Sequence, residues 1–160
     1  MFKELYQKIE QWEAIYQAQA KFLGSVEASR RMKNSPILHL RDMRTIHMGS
    51  GRQSGRTSWI LDQVINNGNQ MLIVKDKAHK TIMPEQPIVR DQVGMSKVML
   101  STYTWQDVQT MFRTQEEKIK QILSETERVF FMDADFLPMK DVLNLMAGYL
   151  PEEVVIVAVH

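Results

Sequence analysis

Runs of consecutive apolar residues, separated by segments with helical spacing, constrain the fold of this chain more than any other feature. Three such runs are Met71 to Val74, Val129 to Met132 and Val154 to Val159. A strand that is apolar on both faces has to be buried on both, as in a parallel sheet covered by helices. The alternation of these strands with helices predicts a three-layer α/β fold with a mostly parallel sheet.

Two shorter segments are expected to add strands to this sheet. Thr45 to Met48 precedes a glycine-rich loop, and Lys97 to Ser101 contains a further apolar run. The stretch before this second segment contains Pro84 and Pro87, and we expect it to be a loop.

Helical spacing recurs between the strands. Apolar residues three and four positions apart predict a helix at 57–66 and a short one at 139–150, before a proline. Thr104, with Asp107 three residues later, is typical of a helix N-cap. The apolar stripe that follows predicts one long helix reaching about residue 123.

The chain is expected to consist of an N-terminal helical segment, residues 1–32, and an α/β domain, residues 33–160. Its 160 residues are the length of one ordinary domain. An amphipathic helix is predicted within residues 2–26, with aromatic side chains along one stripe. Because these would otherwise form an exposed apolar patch, we expect the helix to pack on the sheet, on a protein partner or on a second copy of the chain.

Composition excludes several classes of protein. The chain contains no cysteine, so disulfides and thiolate metal sites are excluded. Its first residues carry charges where a signal peptide needs an apolar run, and no stretch approaches the ~18 apolar residues of a membrane span. We therefore expect a cytoplasmic protein with no membrane partner.

Positive charge is concentrated in residues 28–56. This block holds seven of the 20 Lys and Arg residues and one acidic residue, Asp42, whereas residues 101–160 hold ten acidic and five basic residues. A basic block of this size favours a phosphate-bearing partner, either a nucleotide or a nucleic acid. The alternative is that its arginines pair with the acidic C-terminal part.

The most informative motif is a strand, a glycine-rich loop and a helix at residues 45–66. Backbone N–H groups at such a helix start form a concave phosphate site, and small residues let the phosphate approach. The P-loop pattern is G-x-x-x-x-G-K-[ST]. The chain has Ser50-Gly51-Arg52-Gln53-Ser54-Gly55-Arg56-Thr57, so it departs from the pattern at Ser50 and at Arg56.

An acidic strand end completes the motif. The apolar run 129–132 delivers Asp133 to the end of a strand, 76 positions after Thr57, in the form of a Walker B element. Over about residues 45–160 the chain resembles P-loop NTPases of the RecA-like, helicase-like division. Its Gly-Arg-Thr variant is similar to that of bacteriophage ATPase-like proteins, which implies a phage or bacterial setting and the host cytoplasm.

The resemblance implies a site for a nucleoside triphosphate, with ATP expected, and for Mg²⁺. Thr57 and Asp133 would hold the metal, the aspartate through water, and Arg56 would replace the catalytic lysine. Nucleotide binding would fall on the loop and the first helical turn: Ser50, Gly51, Arg52, Gln53, Ser54, Gly55, Arg56, Thr57 and Ser58.

Other positions leave alternatives open. Where the family has a water-polarising glutamate, the chain has Ala134, and Asp135 follows on the opposite face if the strand continues. Asp135 is a candidate replacement base if the strand ends at Asp133. His160 matches a position where the family often keeps a phosphate-sensing polar residue, or is a frayed end, and His47 is interpreted as structural.

Two functions from different classes follow. The first is a small P-loop protein with weak or partner-dependent NTPase activity in nucleic-acid metabolism. Helicase-like NTPases take an arginine from a second lobe. A homo-oligomer would have to supply this arginine here, and Arg113 and Arg128 are the candidates. The second is a hydrolysis-deficient binding or inhibitor module that acts on a nucleic acid through residues 28–56 or on a protein through the N-terminal helix.

Overall fold

The fold is built on one parallel five-stranded sheet. A computed structural model describes residues 2–23, 41, 44–49 and 55–160. The strands are β1 (Thr45–Met48), β2 (Gln70–Val74), β3 (Thr102–Thr104), β4 (Arg128–Met132) and β5 (Val155–Val159). They lie in the order β1-β5-β4-β2-β3, and every neighbouring pair is parallel. The predicted α/β class with a parallel sheet is confirmed.

Seven helices within the described ranges connect or cover these strands. They are α1 (Phe2–Ala20), α2 (Arg56–Asn66), α3 (Lys77–Ile82), α4 (Gln92–Ser101), α5 (Trp105–Thr114), α6 (Glu116–Glu125) and α7 (Met139–Met146). Short 3-10 turns lie at Met83–Glu85 and Ala134–Phe136.

The sheet separates two apolar cores. Alternate strand residues point to opposite faces, so Leu72 and Val74 pack with α1, α2 and α4, whereas Met71 and Ile73 pack with α5, α6 and α7. The central strands are buried on both faces, which is why they appear in the sequence as continuous apolar runs.

Helix α1 covers α2 on the first face. Trp12 stacks on Trp59 with ring centroids 6.3 Å apart, and Tyr16 lies 5.6 Å from the same ring. The Trp59 indole N–H donates to Glu13 at 2.9 Å, so the buried aromatic cluster has its polar atom satisfied. Helix α1 ends at Ala20, before the predicted end at residue 26, and residues 24–32 of the proposed N-terminal segment lie outside the described residues.

The predicted strand at 97–101 is wrong, because these residues lie in helix α4. Asp91 caps this helix by accepting a hydrogen bond from the Gly94 N–H at 2.6 Å. Of the apolar run, Val98 is buried while Leu100 is 77% exposed. The run therefore lacks the two-sided burial that identified the other strands, and the neighbouring strand is Thr102–Thr104 instead.

The predicted proline-containing loop and the long helix also need correction. The loop region contains α3, the 3-10 turn at Pro84 and the start of α4. Thr104 and Asp107 do form a capping box, but the helix they start is interrupted at Gln115, whose φ of −139° and ψ of 50° are not helical. The last predicted helix ends at Met146 rather than at residue 150.

Candidate functional site

The carboxyl ends of the parallel strands meet at one edge of the sheet, the region where open α/β folds bind ligands. Strand β5 lies between β1 and β4, with Ala158 paired to His47 on one side and to Phe131 on the other. The residues that follow β1, β4 and β5 are therefore neighbours. We refer to this region as the carboxyl edge.

The glycine-rich loop leads from β1 to α2 at this edge. Ser50, Gly51, Arg52, Gln53 and Ser54, which the sequence assigns to the phosphate cradle, lie outside the described residues. Gly55 precedes α2 with φ +79° and ψ 10°, a left-handed conformation that favours glycine. A Cβ atom there would lie 2.8 Å from the Lys8 Cβ of α1, so the close approach of α1 also requires glycine. Thr57 and Ser58 lie half-buried in the first turn of α2.

Arg56 connects two strand ends. Its Nη2 lies 3.4 Å from the Asp133 Oδ1, and its Nη1 donates to the backbone carbonyl of His160. The two paired side chains are 23% and 20% exposed. A single contact at 3.4 Å is long for an ion pair, so it leaves both charges able to rearrange around a ligand.

The chain turns sharply after β4. Asp133 has φ 53° and ψ 51°, an unusual left-handed conformation for a non-glycine residue, and a 3-10 turn follows. The strand therefore does not continue to Asp135, and the expectation that Asp135 would lie on the opposite face of a strand does not apply. Ala134 is 2% exposed and packs in the second core, whereas the side chain of Asp135 is exposed.

Asp135 belongs to a line of three hydrogen-bonded side chains. The His160 Nδ1 lies 2.7 Å from the Asp135 Oδ1, and the His160 Nε2 lies 2.9 Å from the His47 Nδ1. The His160 N–H also donates to the Met48 carbonyl at 2.9 Å, which continues the pairing of β1 with β5. We refer to His47, His160 and Asp135 as the His–His–Asp line.

His47 is exposed, but partial desolvation of its ring lowers its pKa below the ordinary value, and the neighbouring His160 lowers it further. The shift favours the neutral imidazole at neutral pH. A neutral imidazole can accept a proton, which a cation cannot.

A groove of about 890 Å³ lies beside this cluster, at the carboxyl ends of β2 and β3. Lys75 lines the groove, and its Nζ lies 4.5 Å from the centre of the exposed Phe136 ring. Lys80 and Asp107 form an ion pair of 2.8 Å in its wall. Phe136 thus contacts the groove lining, while the preceding Asp135 contacts His160.

The structure assigns other roles to two predicted residues. Arg128, a candidate second-site arginine, lies at the amino end of β4, where it donates to Gln70 at 2.7 Å and to Gln63 at 3.0 Å. Within its own chain it therefore lies away from the carboxyl edge, and its role in the site of a second copy stays a prediction. Arg44 of the basic block donates to the backbone carbonyls of Glu153 and Val154, so it contacts the C-terminal part through main-chain oxygens.

The sequence did not show that His47 has a side-chain partner. Its position at the end of a short strand gave no sign of a partner, because its contact with His160 spans 113 positions. The usable signal was that His47 lies one residue before the end of β1 and His160 directly follows β5, but the pairing of those strands is not visible in the sequence.

No protein-family model, curated protein or solved structure matches the chain. Among the described residues, no helix is long and apolar enough to cross a membrane. Over the same part of the chain, no group of three or more His, Asp or Glu side chains is arranged to hold a metal ion. The function is therefore inferred from the geometry of the carboxyl edge.

Proposed function

We propose that the chain is a small P-loop protein that binds a nucleoside triphosphate, with ATP as first candidate, together with Mg²⁺ at the carboxyl edge. The observation that carries this proposal is the contact between Arg56 and Asp133, 77 positions apart. These two residues stand where the resemblance has the P-loop cation and the acidic residue that holds the metal. Because Arg56 and Asp133 are in contact, the glycine-rich loop and the acidic strand end can form a single site.

The strand order supports the same proposal. One strand, β5, separates β1, which leads into the loop, from β4, which ends at Asp133. Both motif strands therefore end at the carboxyl edge, one on each side of β5, and can contribute to one site. Because this order depends on pairings between distant segments, it supports the proposal independently of the loop residues.

The chemistry of the donors fits Mg²⁺ bound with a nucleotide. Magnesium prefers oxygen ligands and is commonly held by one or two protein groups together with substrate phosphates and water. The Thr57 hydroxyl and the Asp133 carboxylate are donors of this kind, and a site with few protein ligands is consistent with the lack of a three-residue metal cluster among the described residues. When bound, the ion would neutralise phosphate charge.

Hydrolysis is expected to be weak or to depend on a partner. Phosphoryl transfer relies on positioning and charge stabilisation. The position of the family's glutamate is occupied by Ala134, which faces the apolar core, so no carboxylate can act from there. This burial also favours the second candidate, a nucleotide-binding module that has lost turnover.

Binding of a nucleic acid through residues 28–56 stays a separate proposal. Two basic residues of this block, Arg44 and Arg56, contact the C-terminal part of the chain. Both guanidinium groups are therefore already held by contacts within the chain. A steep loss of binding as salt rises from 50 to 200 mM would identify phosphate contacts.

Calorimetric titration with ATP and Mg²⁺ tests the proposal. A ligand at 100 times its Kd should stabilise the wild type by about 2.7 kcal/mol. Arg56→Ala should weaken binding by at least about tenfold, because it removes a charge-assisted contact to phosphate. Asp133→Asn should reduce the dependence on Mg²⁺, while the control Lys118→Ala, an exposed lysine on α6, should bind as wild type does.

Two results would contradict the proposal. One is the lack of any heat or thermal shift with ATP, GTP or their Mg²⁺ complexes. The other is equal affinity in the wild type, Arg56→Ala and Asp133→Asn, which would place the nucleotide elsewhere.

A further inference from the structure

The groove at the carboxyl ends of β2 and β3 lies outside the site proposed above. Its volume of about 890 Å³ falls within the roughly 300–1,000 Å³ of small-molecule sites. Most of its lining consists of lysine, aspartate, threonine and glutamine side chains, and Met99 and Met111 add apolar contacts. A lining of this kind suits a ligand that has both a charged group and an apolar surface.

Both carboxylates of the groove already have partners. Asp107 forms the 2.8 Å ion pair with Lys80, and it accepts from the Thr104 N–H of the capping box at 2.9 Å. Asp76 accepts from the backbone N–H of His79 at 2.9 Å, and its carboxylate lies 2.6 Å from the His79 ring nitrogen. The negative charge of the groove is therefore held by contacts within the chain.

Two ammonium groups of the groove have no such partner. Lys75 and Lys77 line it, and neither forms an ion pair with any residue in the part of the chain that the structure describes. Two positive charges match those of a phosphate monoester, which carries about −1.5 to −2 at pH 7. A carboxylate carries less charge and a triphosphate carries more, so the groove fits a single phosphate group best.

An exposed aromatic side chain lies beside these charges. Phe136 is 71% exposed, and the Lys75 Nζ lies 4.5 Å from the centre of its ring. In a comparable pair, Lys120 lies over Tyr149, which is only 38% exposed, and Glu116 holds the lysine at 2.7 Å. Phe136 therefore differs in offering most of its surface to a ligand, next to a lysine that the described carboxylates leave unpaired.

A nucleobase attached to one phosphate has both features that these side chains can recognise. Any base can stack on an aromatic ring, because every base has a planar π-face. Lys75 both contacts Phe136 and lines the groove. A base on the ring therefore leaves its phosphate on the side of the two lysines.

We propose that this groove is a separate binding site for a free nucleoside monophosphate, with the base on Phe136 and the phosphate on Lys75 and Lys77. A single-stranded nucleic acid has the same chemistry, but its sites combine a positive groove with aromatic side chains for successive bases. One exposed ring beside two unpaired ammonium groups corresponds to one nucleotide. The proposal does not depend on nucleotide binding at Arg56 and Asp133.

Calorimetric titration of the full-length protein with AMP, at low salt and without Mg²⁺, tests this proposal. Phe136→Ala should weaken AMP binding by about fivefold or more, because it removes the stacking contact. Lys75→Ala should weaken binding by about tenfold, because it removes a charge-assisted contact to phosphate. Phe136→Tyr keeps an aromatic ring and should bind within about threefold of wild type. Adenosine lacks the phosphate, so its binding should respond less to Lys75→Ala than to Phe136→Ala.

Two matched controls make the same substitutions outside the groove. Phe22→Ala replaces a phenylalanine that is 89% exposed, and Lys120→Ala replaces the lysine of the comparable pair. Both variants should bind AMP as wild type does. Because Phe22 and Phe136 are both exposed, thermal unfolding should give both alanine variants the wild-type Tm.

The outcomes separate this site from the carboxyl edge. Weakened AMP binding in Phe136→Ala, with unchanged binding of ATP and Mg²⁺, would support two sites. If the wild type binds AMP through Phe136 but binds no ATP with Mg²⁺, the nucleotide proposal above fails while this one stands.

Three results would overturn the proposal. The first is equal AMP affinity in the wild type, Phe136→Ala and Lys75→Ala. The second is a loss of AMP binding in Arg56→Ala as large as in Phe136→Ala, which would place AMP at the carboxyl edge. The third is binding of oligothymidylate without binding of AMP, which would identify a strand rather than a free nucleotide as the ligand.

Discussion

Two arginines at opposite edges of the same sheet have different surroundings. At the amino edge, Arg128 donates to two glutamine oxygens and lies 5.4 Å from the ring centre of Tyr16 and 5.3 Å from that of Phe130. At the carboxyl edge, Arg56 has one long contact with a carboxylate and one with a backbone carbonyl. The amino edge is closed by amides and aromatic rings, while the carboxyl edge brings together groups that carry charge or can transfer protons.

Helix α1 contacts both edges. Lys8 packs against Gly55 at the carboxyl edge, and Tyr16, two turns later, lies over Arg128 at the amino edge. Because α1 contacts both edges, a substitution that displaces this helix should affect the side chains at both. The following predictions use this contrast, in order of decreasing effect on stability.

Substitution of Arg128 should mainly reduce stability, whereas substitution of Arg56 should mainly reduce nucleotide affinity. Arg128→Ala should lower the free energy of unfolding by ~2–3 kcal/mol, because it removes two charge-assisted hydrogen bonds and leaves their acceptors unpaired. Arg56→Ala should cost at most ~1 kcal/mol, because its ion pair with Asp133 is long and partly exposed. Urea unfolding of both variants, with ATP titration in parallel, should show the reverse order for affinity. Equal losses of stability would show that the two edges do not differ as described.

Gly55→Ala should lower the free energy of unfolding by about 1–2 kcal/mol, because the left-handed backbone is costly for any residue with a Cβ. The added methyl group also meets the Lys8 Cβ, so α1 has to shift. Gly148→Ala is the matched control, since a Cβ there meets no atom within 4 Å. Loss of nucleotide binding in a Gly55 variant would therefore not by itself locate the phosphate.

Stability should fall slightly on acidification because of His47. Its folded-state pKa lies below the ordinary value of 6.5, owing to burial and to His160. As the pH falls through about 6.5, the unfolded chain binds the proton before the folded chain does, so the free energy of unfolding decreases until the pH passes the folded-state pKa. Urea unfolding of wild type and His47→Gln across this range should show a shallower slope in the variant. A steeper slope in His47→Gln would mean that the direction of the shift is wrong.

The strand predictions were correct where the apolar run is buried on both faces of the sheet and wrong where it is not. The run from Val129 to Phe131 has every residue fully buried, and its strand was predicted within one residue. The run at 98–100 has one buried residue, and its predicted strand was wrong. The Thr104 capping box was predicted correctly because its hydrogen bonds join residues three positions apart.

The candidate site was only partly visible in the sequence. Arg56 and Asp133 were identified by motif, but their contact required the strand order. The sequence left open whether the strand continues through Asp135 or ends at Asp133. The structure shows that it ends before Asp133, which has a left-handed backbone. That conformation is uncommon for an aspartate, so nothing in the local sequence predicted it.

The sequence alone determined the α/β class, most of the strands and the capping of α5, because each depends on periodicity or on contacts within one turn of helix. The tertiary structure alone decided that β5 lies between β1 and β4. This placement puts His160 between His47, 113 positions away, and Asp135, 25 positions away. Pairing between distant strands depends on the packing of the whole chain, so the grouping of these side chains cannot be found in any local pattern.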